Sequence, residues 1–235
     1  RRRTLDLICS KHRMDCDFCA RYSDCELHAI MREYGIEGRN YSKSPTTPQE
    51  DKSAAGFVLD TSKCILCRRC EAVCRNQGVD VFSVIGRGAN AVIGTSVPLN
   101  DTECVHCGQC LCVCPTGAIY EKHNLPYVWN ALADHGKYVV AIVAPEVYAQ
   151  IGESFAESIG TDTKGKVAAL LHKYGFKKVY NAEVGKALAA QELAKEIGES
   201  LSAGKQLLTS YCPSWVEFCR KKYPNAVAYL SNVHD

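Results

Sequence analysis

Cys64-Ile65-Leu66-Cys67-Arg68-Arg69-Cys70-Glu71-Ala72-Val73-Cys74, followed by Cys104-Val105-His106-Cys107-Gly108-Gln109-Cys110-Leu111-Cys112-Val113-Cys114-Pro115, decides how this sequence is read. Each run places three cysteines at successive two-residue gaps and a fourth after a three-residue gap. A cubane iron–sulfur cluster needs four thiolates on four corners. A tight loop supplies three of them, and in two-cluster arrangements the fourth cysteine of each run serves the other cluster. The spacing therefore groups Cys64, Cys67, Cys70 and Cys114 around one [4Fe–4S] centre, and Cys74, Cys104, Cys107 and Cys110 around a second. Zinc sites use paired arms of two cysteines, so the doubled rhythm weighs against zinc.

Working outward, the two runs open an internal repeat: Asp60-Thr61-Ser62-Lys63 answers Asn100-Asp101-Thr102-Glu103. Between them Val79–Ile85 and Ala91–Val97 flank Gly86-Arg87-Gly88-Ala89-Asn90, which predicts a hairpin. Gly86, Gly88 and Ala91 also fit a loose dinucleotide fingerprint, but β-branched residues follow instead of a helix. Cys112 lies off the ligand spacing and reads as a small buried thiol. Lys63, Arg68, Arg69 and Arg75 surround the first run, where cations tune the potential of a negatively charged cluster.

Upstream stands His12-x3-Cys16-x2-Cys19-x5-Cys25. One imidazole with three thiolates holds either a third [4Fe–4S] cluster, made less negative and easier to reduce by the neutral ligand, or a single zinc ion. The neighbouring pair of runs favours the cluster. Cys9 lies outside the pattern and reads as packing. A helix is expected over Glu26–Glu33, ended by Gly35 and Gly38. Residues 39–55, with Pro45 and Pro48, read as a linker. Asn40-Tyr41-Ser42 fits a glycosylation acceptor, a pattern common by chance.

From residue 137 the texture changes. Tyr138–Val143 is an apolar run like a buried parallel strand, and Pro145 opens a helix to about Ile159. A helix over Lys164–Tyr174, a strand over Phe176–Tyr180, a helix over Ala182–Leu201 and a strand over Gln206–Thr209 follow. Pro213–Lys222 reads as a helix, Ala226–Leu230 as a last strand, and Cys219 as packing. The expected fold is an α+β two-cluster ferredoxin-like module with a cluster module of one histidine and three cysteines, then an incomplete α/β domain with a mostly parallel sheet. The expected divisions are 1–50, 51–126 and 127–235.

Composition agrees. Of 15 cysteines in 235 residues, 13 lie before residue 115, and their odd number argues against a secreted disulfide scaffold. This favours thiolate ligation in a reducing cytoplasm. A net charge of +2 argues against a general nucleic-acid binder. No apolar run approaches the roughly 18 residues of a membrane span. The chain stops at Asp235 without a cap, as a piece of a longer protein would.

The motif of one histidine and three cysteines, followed by two cluster runs, resembles two related groups. One comprises the large iron–sulfur subunits of NADH dehydrogenases and NAD-linked formate dehydrogenases, the other the modular [FeFe]-hydrogenases. The second half separates them. Val140-Ala141-Ile142-Val143-Ala144-Pro145-Glu146-Val147 and Gly152-Glu153-Ser154-Phe155 look like the opening of the hydrogenase H-cluster domain. Thr209-Ser210-Tyr211-Cys212-Pro213-Ser214-Trp215 is similar to that family's signature Thr-Ser-Cys-Cys-Pro-x-Trp.

The resemblance implies that Cys212 ligates the [4Fe–4S] part of an H-cluster. Tyr211 stands where the family has its proton-transfer cysteine, and Glu192 and Glu196 align with proton-path glutamates, with Leu193 replacing one of a pair. A phenol ionises near pH ~10 against ~8.5 for a thiol, so slow or rerouted turnover is expected. The later signatures Met-Pro-Cys-x-x-Lys and Glu-x-Met-x-Cys-x-x-Gly-Cys do not occur before Asp235, so this chain alone is not expected to be catalytic. The implied function is an electron relay for reversible interconversion of protons and H2. Its implied partners are ferredoxin, a flavin-containing NAD(H)-binding subunit, or both, within a multi-subunit complex. A [2Fe–2S] domain commonly precedes a segment like Arg2-Arg3-Thr4-Leu5 in these groups. A non-catalytic electron-transfer subunit and a hydrogen sensor are the rival readings.

Overall fold

The computed structural model describes residues 1–37, 41, 50–158 and 160–234. The chain divides into two units, Arg1–Lys122 and His123–Asp235.

In the first unit, helix α1 (Arg2–Cys9) buries Leu5 and Cys9 against Leu27 and Met31 of α2 (Glu26–Glu33), with Ile36 closing the cluster. Cys9 is packing, as its place outside the ligand pattern implies. Gly35 ends α2 at φ 62°, a left-handed conformation that suits glycine. Gly38 and the glycosylation pattern, apart from Tyr41, lie outside the described residues, as does the expected linker from 42 to 49. The linker's last part is not a loop: β1 (Glu50–Asp51) pairs antiparallel with β2 (Phe57–Asp60), Asp51 facing Leu59. Strand β2 is buried throughout, because β5 (Ile119–Glu121) pairs on its other side with Val58 facing Tyr120.

Between the cysteine runs, β3 (Ser83–Ile85) and β4 (Val92–Gly94) form the expected hairpin, Val84 facing Ile93. Its glycines serve the turn: Gly86 has φ 75°, and a Cβ there would lie 2.8 Å from the Asn90 carbonyl oxygen. Two short helices, α3 (Arg69–Asn76) and α4 (Gln109–Val113), follow the loops of the cysteine runs and pack together.

In the second unit, α5 (Leu125–Ala133) precedes β6 (Val140–Val143), a helix that the sequence pattern does not announce. The helix expected to reach Ile159 is shorter: α6 (Pro145–Gln150) tightens into a 3-10 turn over Ile151–Phe155, where Ala156 turns left-handed at φ 57°. Ile159 lies outside the described residues. Helix α7 (Lys164–Tyr174) ends at Gly175, and β7 (Lys178–Asn181) pairs parallel with β6, Ile142 facing Tyr180. Then come α8 (Glu183–Ser202) and α9 (Pro213–Lys222). The strand expected over Gln206–Thr209 reduces to one parallel bridge, Leu208 to Leu230. The strand expected over Ala226–Leu230 is instead a 3-10 helix, Pro224–Tyr229, where Pro224 at the first position presets the helical φ. The parallel sheet is therefore small. No helix among the described residues is long and apolar enough to cross a membrane.

Candidate metal centres

The two cysteine runs fold alike. Leu66 (φ 57°) and Arg68 (φ 62°) are left-handed in the first, His106 (φ 53°) and Gly108 (φ 74°) at the matching positions of the second. These turns aim backbone amides at sulfur: Leu66 N–H donates to Cys64 Sγ at 3.3 Å and His106 N–H to Cys104 Sγ at 3.4 Å. Successive amides in such a turn make a concavity that stabilises anionic sulfur. Only Gly108 announces this conformation in the sequence. The amide–sulfur bonds are the functional feature that spacing alone misses.

Helices α3 and α4 start straight after the left-handed residue of each loop, and Cys70, Cys74 and Cys110 on them are buried. Cys64, Cys67, Cys70 and Cys114 line one small cavity, with Thr116 in its wall. Burial, with the neighbouring Cys64, Cys114 and Cys67, pushes the Cys70 thiol up to about 12. On the other side burial, with Cys104, Cys107, Cys70 and Cys74, pushes Cys110 up to about 12. Cys74, Cys104 and Cys110 are buried and Cys107 is exposed. Cys74 Sγ accepts from Val81 N–H at 3.4 Å. Thiols that oppose one another's ionisation in a buried space become thiolates only beside a compensating cation, which iron supplies. The residues present fit iron–sulfur clusters. Cys112 is exposed, not buried as its spacing suggests, because it lies on the outer side of the short helix α4 from buried Cys110.

His12, Cys16, Cys19 and Cys25 line a second small cavity, again with Thr116 in its wall. Two 3-10 turns, Cys16–Phe18 and Tyr22–Asp24, fold the cysteines round it. Burial first, then Cys25 and Cys19, raises the Cys16 thiol. Cys25 also caps α2, its sulfur accepting from His28 N–H at 3.4 Å. His12 is 5% exposed, and its Nδ1 lies 2.9 Å from the Lys63 carbonyl oxygen. A carbonyl only accepts, so Nδ1 carries the proton and Nε2 is the acceptor nitrogen of the ring. Among the described residues, no three or more His, Cys, Asp or Glu side chains form a site for a single metal ion.

The cations near the first run are paired. Arg68 (2.6 Å) and Arg75 (3.3 Å) both reach Glu71, Arg69 reaches Glu26 at 3.1 Å, and Lys63 lies 3.7 Å from Asp15. Their field at the cavity is largely offset by their partners.

In the second unit, Cys212 is the exposed N-cap of α9, with Pro213 in the first turn, and Tyr211 is 54% exposed beside it. Ser210 is buried and its hydroxyl donates to the Ser231 carbonyl at 2.7 Å, fixing the approach to the helix. Cys219 is fully buried, as packing. The glutamates bond elsewhere. Glu192 pairs with Lys195 at 2.7 Å, and Glu196 accepts from the Ser231 hydroxyl and, at 3.1 Å, from Asn232 N–H. Those two donors hold the Glu196 carboxyl below its ordinary value.

Comparison with known proteins adds three matched regions. Residues 1–39 match the NADH-ubiquinone oxidoreductase-G iron–sulfur binding region, 63–118 a 4Fe–4S dicluster domain, and 137–234 the C-terminal domain of the iron only hydrogenase large subunit. The NADP-reducing hydrogenase subunit HndD of Solidesulfovibrio fructosivorans is 36% identical over 96% of this chain and 40% of its own length. Iron hydrogenase 1 of Clostridium pasteurianum is 30% identical over 94% of this chain and 40% of its own length. The chain thus spans about 40% of the length of these curated relatives. With iron–sulfur binding regions matched at residues 1–39 and 63–118 and a hydrogenase domain matched at 137–234, the chain is similar along its length to the opening part of iron-only hydrogenase large subunits.

Proposed function

We propose that this chain is the electron relay, with the opening of the catalytic domain, of a hydrogenase that interconverts protons and H2. The observation that carries the reading is the exchange of fourth cysteines: Cys114 from the second run lines the cavity of Cys64, Cys67 and Cys70. Three [4Fe–4S] clusters would be held by His12, Cys16, Cys19 and Cys25, by Cys64, Cys67, Cys70 and Cys114, and by Cys74, Cys104, Cys107 and Cys110. When bound, they supply one-electron steps without a proton or a broken bond. The protein's part is to exclude water around the buried thiols and to donate amides to Cys64, Cys74, Cys104 and Cys25.

In the complete protein Cys212 would ligate the [4Fe–4S] part of an H-cluster, its thiolate favoured by the N-terminus of α9. The electron donor or acceptor would be ferredoxin or a flavin-bearing NAD(H)-binding subunit, an expectation in line with the NADP-linked name of the Solidesulfovibrio relative. Tyr211, Glu192 and Glu196 are the proposed proton-path positions. A phenol at Tyr211, and a Glu196 carboxylate engaged by Ser231 and Asn232, make that path slow or rerouted. The same observations favour a second reading, a subunit that transfers electrons without catalysis.

Anaerobically reconstituted chain should bind on the order of 12 iron atoms. Cys114→Ala should remove the centre of Cys64, Cys67 and Cys70 while sparing that of Cys104, as redox-poised EPR reads. Colourless, zinc-loaded protein overturns the relay. Hydrogen evolution by the complete, maturated protein separates catalysis from pure relay: no H2 chemistry, with no diiron infrared bands, leaves the second reading.

A further inference from the structure

The two candidate cavities of the first unit share one wall residue, Thr116, which lines both. It is 1% exposed, and its hydroxyl donates to the Lys63 carbonyl oxygen at 2.8 Å. The same oxygen faces His12 Nδ1 at 2.9 Å. One buried carbonyl thus faces two donors, as many as its two lone pairs can serve, and it belongs to the residue immediately before Cys64.

A backbone carbonyl on a single hydrogen bond can rock about its peptide plane, and the imidazole bonded to it follows. A second donor on the other lone pair removes that freedom. Thr116 is well placed for this because its own backbone is anchored: it follows Cys114 and Pro115, and the Cys114 carbonyl accepts from Arg21 Nη2 at 2.9 Å. The Pro115 carbonyl in turn lies 3.7 Å from Cys25 Sγ, which lines the second cavity with His12. The stretch 114–116 therefore touches the His12 cavity at the sulfur of Cys25 and, through Lys63, at the imidazole of His12. Its first residue is a candidate ligand of the neighbouring cavity.

We infer that Thr116 is a positioning residue for His12: its hydroxyl locks the Lys63 carbonyl, which fixes the His12 tautomer with Nε2 as the ligating nitrogen and holds the ring in one orientation. The inference rests on the reading of His12 as a cluster ligand. It deepens that reading by naming what holds the ligand and by tying the two centres to one peptide. Groups bonded to the far side of a metal-bound imidazole typically change metal affinity by about 10–100-fold.

The test compares Thr116→Val, which removes the hydroxyl at nearly constant volume, with Thr116→Ser, which keeps it. Both are made in the anaerobically reconstituted chain, with the centre of Cys74, Cys104, Cys107 and Cys110 as the internal control. The valine variant should lose iron from the His12 centre to a chelator about tenfold faster. With 15N-histidine, it should also show an altered coupling of the remote imidazole nitrogen in pulsed EPR. The serine variant should stay within about twofold of the parent on both readouts, the bond being kept. A valine variant that matches the parent, or a serine variant as impaired as valine, overturns the positioning role. A parent protein that binds only about eight iron atoms overturns the His12 reading itself, and this inference with it.

Discussion

The two units of the chain bury themselves in different ways. In Arg1–Lys122 the elements are short, and much of the interior is thiol: Cys70, Cys74, Cys104, Cys110 and Cys114 are buried beside Val58, Leu59, Ile93 and Leu99. In His123–Asp235 the elements are longer, but the buried hydrophobic set is Val143, Tyr148, Val167, Val216 and Cys219. Helix α8 buries none of its 20 residues, and Ile142 on the parallel sheet is 72% exposed. The lesson concerns where each unit's order comes from. Loops such as 64–70 and 104–110 curl round sulfur, with the Leu66 and His106 amides bonded to Cys64 and Cys104. The second unit relies on regular helices and one parallel strand pair, a pairing that usually has both faces covered.

If so, removing iron separates the units. A structural metal's binding energy is folding energy, because the unfolded chain has no preformed site. Chelating the clusters leaves several buried thiols facing one another around empty volumes. Amides of α3 and α4 should then exchange at close to the unfolded rate, while α7 and α8 keep their protection. Hydrogen exchange by mass spectrometry before and after anaerobic chelation reads this directly. Equal losses in both units would break the contrast.

Side-chain truncation sharpens it. Leu99 is fully buried, so Leu99→Ala should cost about 2–5 kcal/mol, lost transfer energy plus a cavity. Leu188 on α8 is 59% exposed, and Leu188→Ala should stay within about 0.5 kcal/mol. Urea unfolding of the holo chain, followed separately in peptides from each unit, measures both. A large cost at Leu188 would mean that α8 is covered by something in solution.

Glycines give a comparison of opposite sign. Gly86 has φ 75°, and an added Cβ would meet the Asn90 carbonyl oxygen at 2.8 Å. Gly86→Ala should therefore cost about 1–3 kcal/mol. Gly185 lies inside α8 with nothing within 4 Å of an added Cβ. Gly185→Ala should stabilise by about 0.5–1 kcal/mol, since alanine restricts the unfolded chain and suits a helix. Thermal melts of the two variants should move in opposite directions.

Legibility in the sequence follows the same divide. Helices α2, α7 and α9 fall where periodicity and end signals place them, because Gly35 and Gly175 stop α2 and α7, and Pro213 opens α9. The hairpin of β3 and β4 is legible from its glycines. Pattern fails where a tertiary partner or a turn overrides it. Ala226–Leu230 looks like a strand, yet Pro224 winds it into a 3-10 turn and leaves only Leu230 to bridge Leu208. Glu50 and Asp51 look like linker until β2 pairs with them. At the candidate centres, cysteine spacing is the signal that groups the thiols, and the structure lines one cavity with Cys64, Cys67, Cys70 and Cys114 and another with His12, Cys16, Cys19 and Cys25. The left-handed backbone at Leu66 and Arg68 has no residue signal, since these types avoid positive φ, and His106 gives only a weak one. The Lys63 carbonyl is invisible in the sequence for a simpler reason: every residue has one.

The smallest effect separates two carboxylates that collect donors in the same way, one in each unit. Partial burial works against ionisation of Asp51, but the hydroxyl and amide of Ser53 and the amide of Leu99 outweigh it and lower the carboxyl below its ordinary 3.8. Glu196 is lowered below 4.5 by the Ser231 hydroxyl and the Asn232 amide, with little burial to oppose them. In both, the unfolded chain takes up a proton more readily than the folded one. The contribution to stability is therefore complete above the ordinary carboxylate value and is lost as pH falls through the lower folded value. Acid also strips iron from thiolates, which would mask Asp51 in the cluster-bearing unit, so Glu196 is the cleaner case. Glu196→Gln should raise exchange at the Asn232 amide at pH 7, and parent and variant should converge as pH drops below 4.5. Because Glu196 is largely solvated, the difference should be smaller than that of any substitution above. A gap between the two that widens on acidification would reverse the sign and show that the neutral carboxyl, not the carboxylate, holds Ser231.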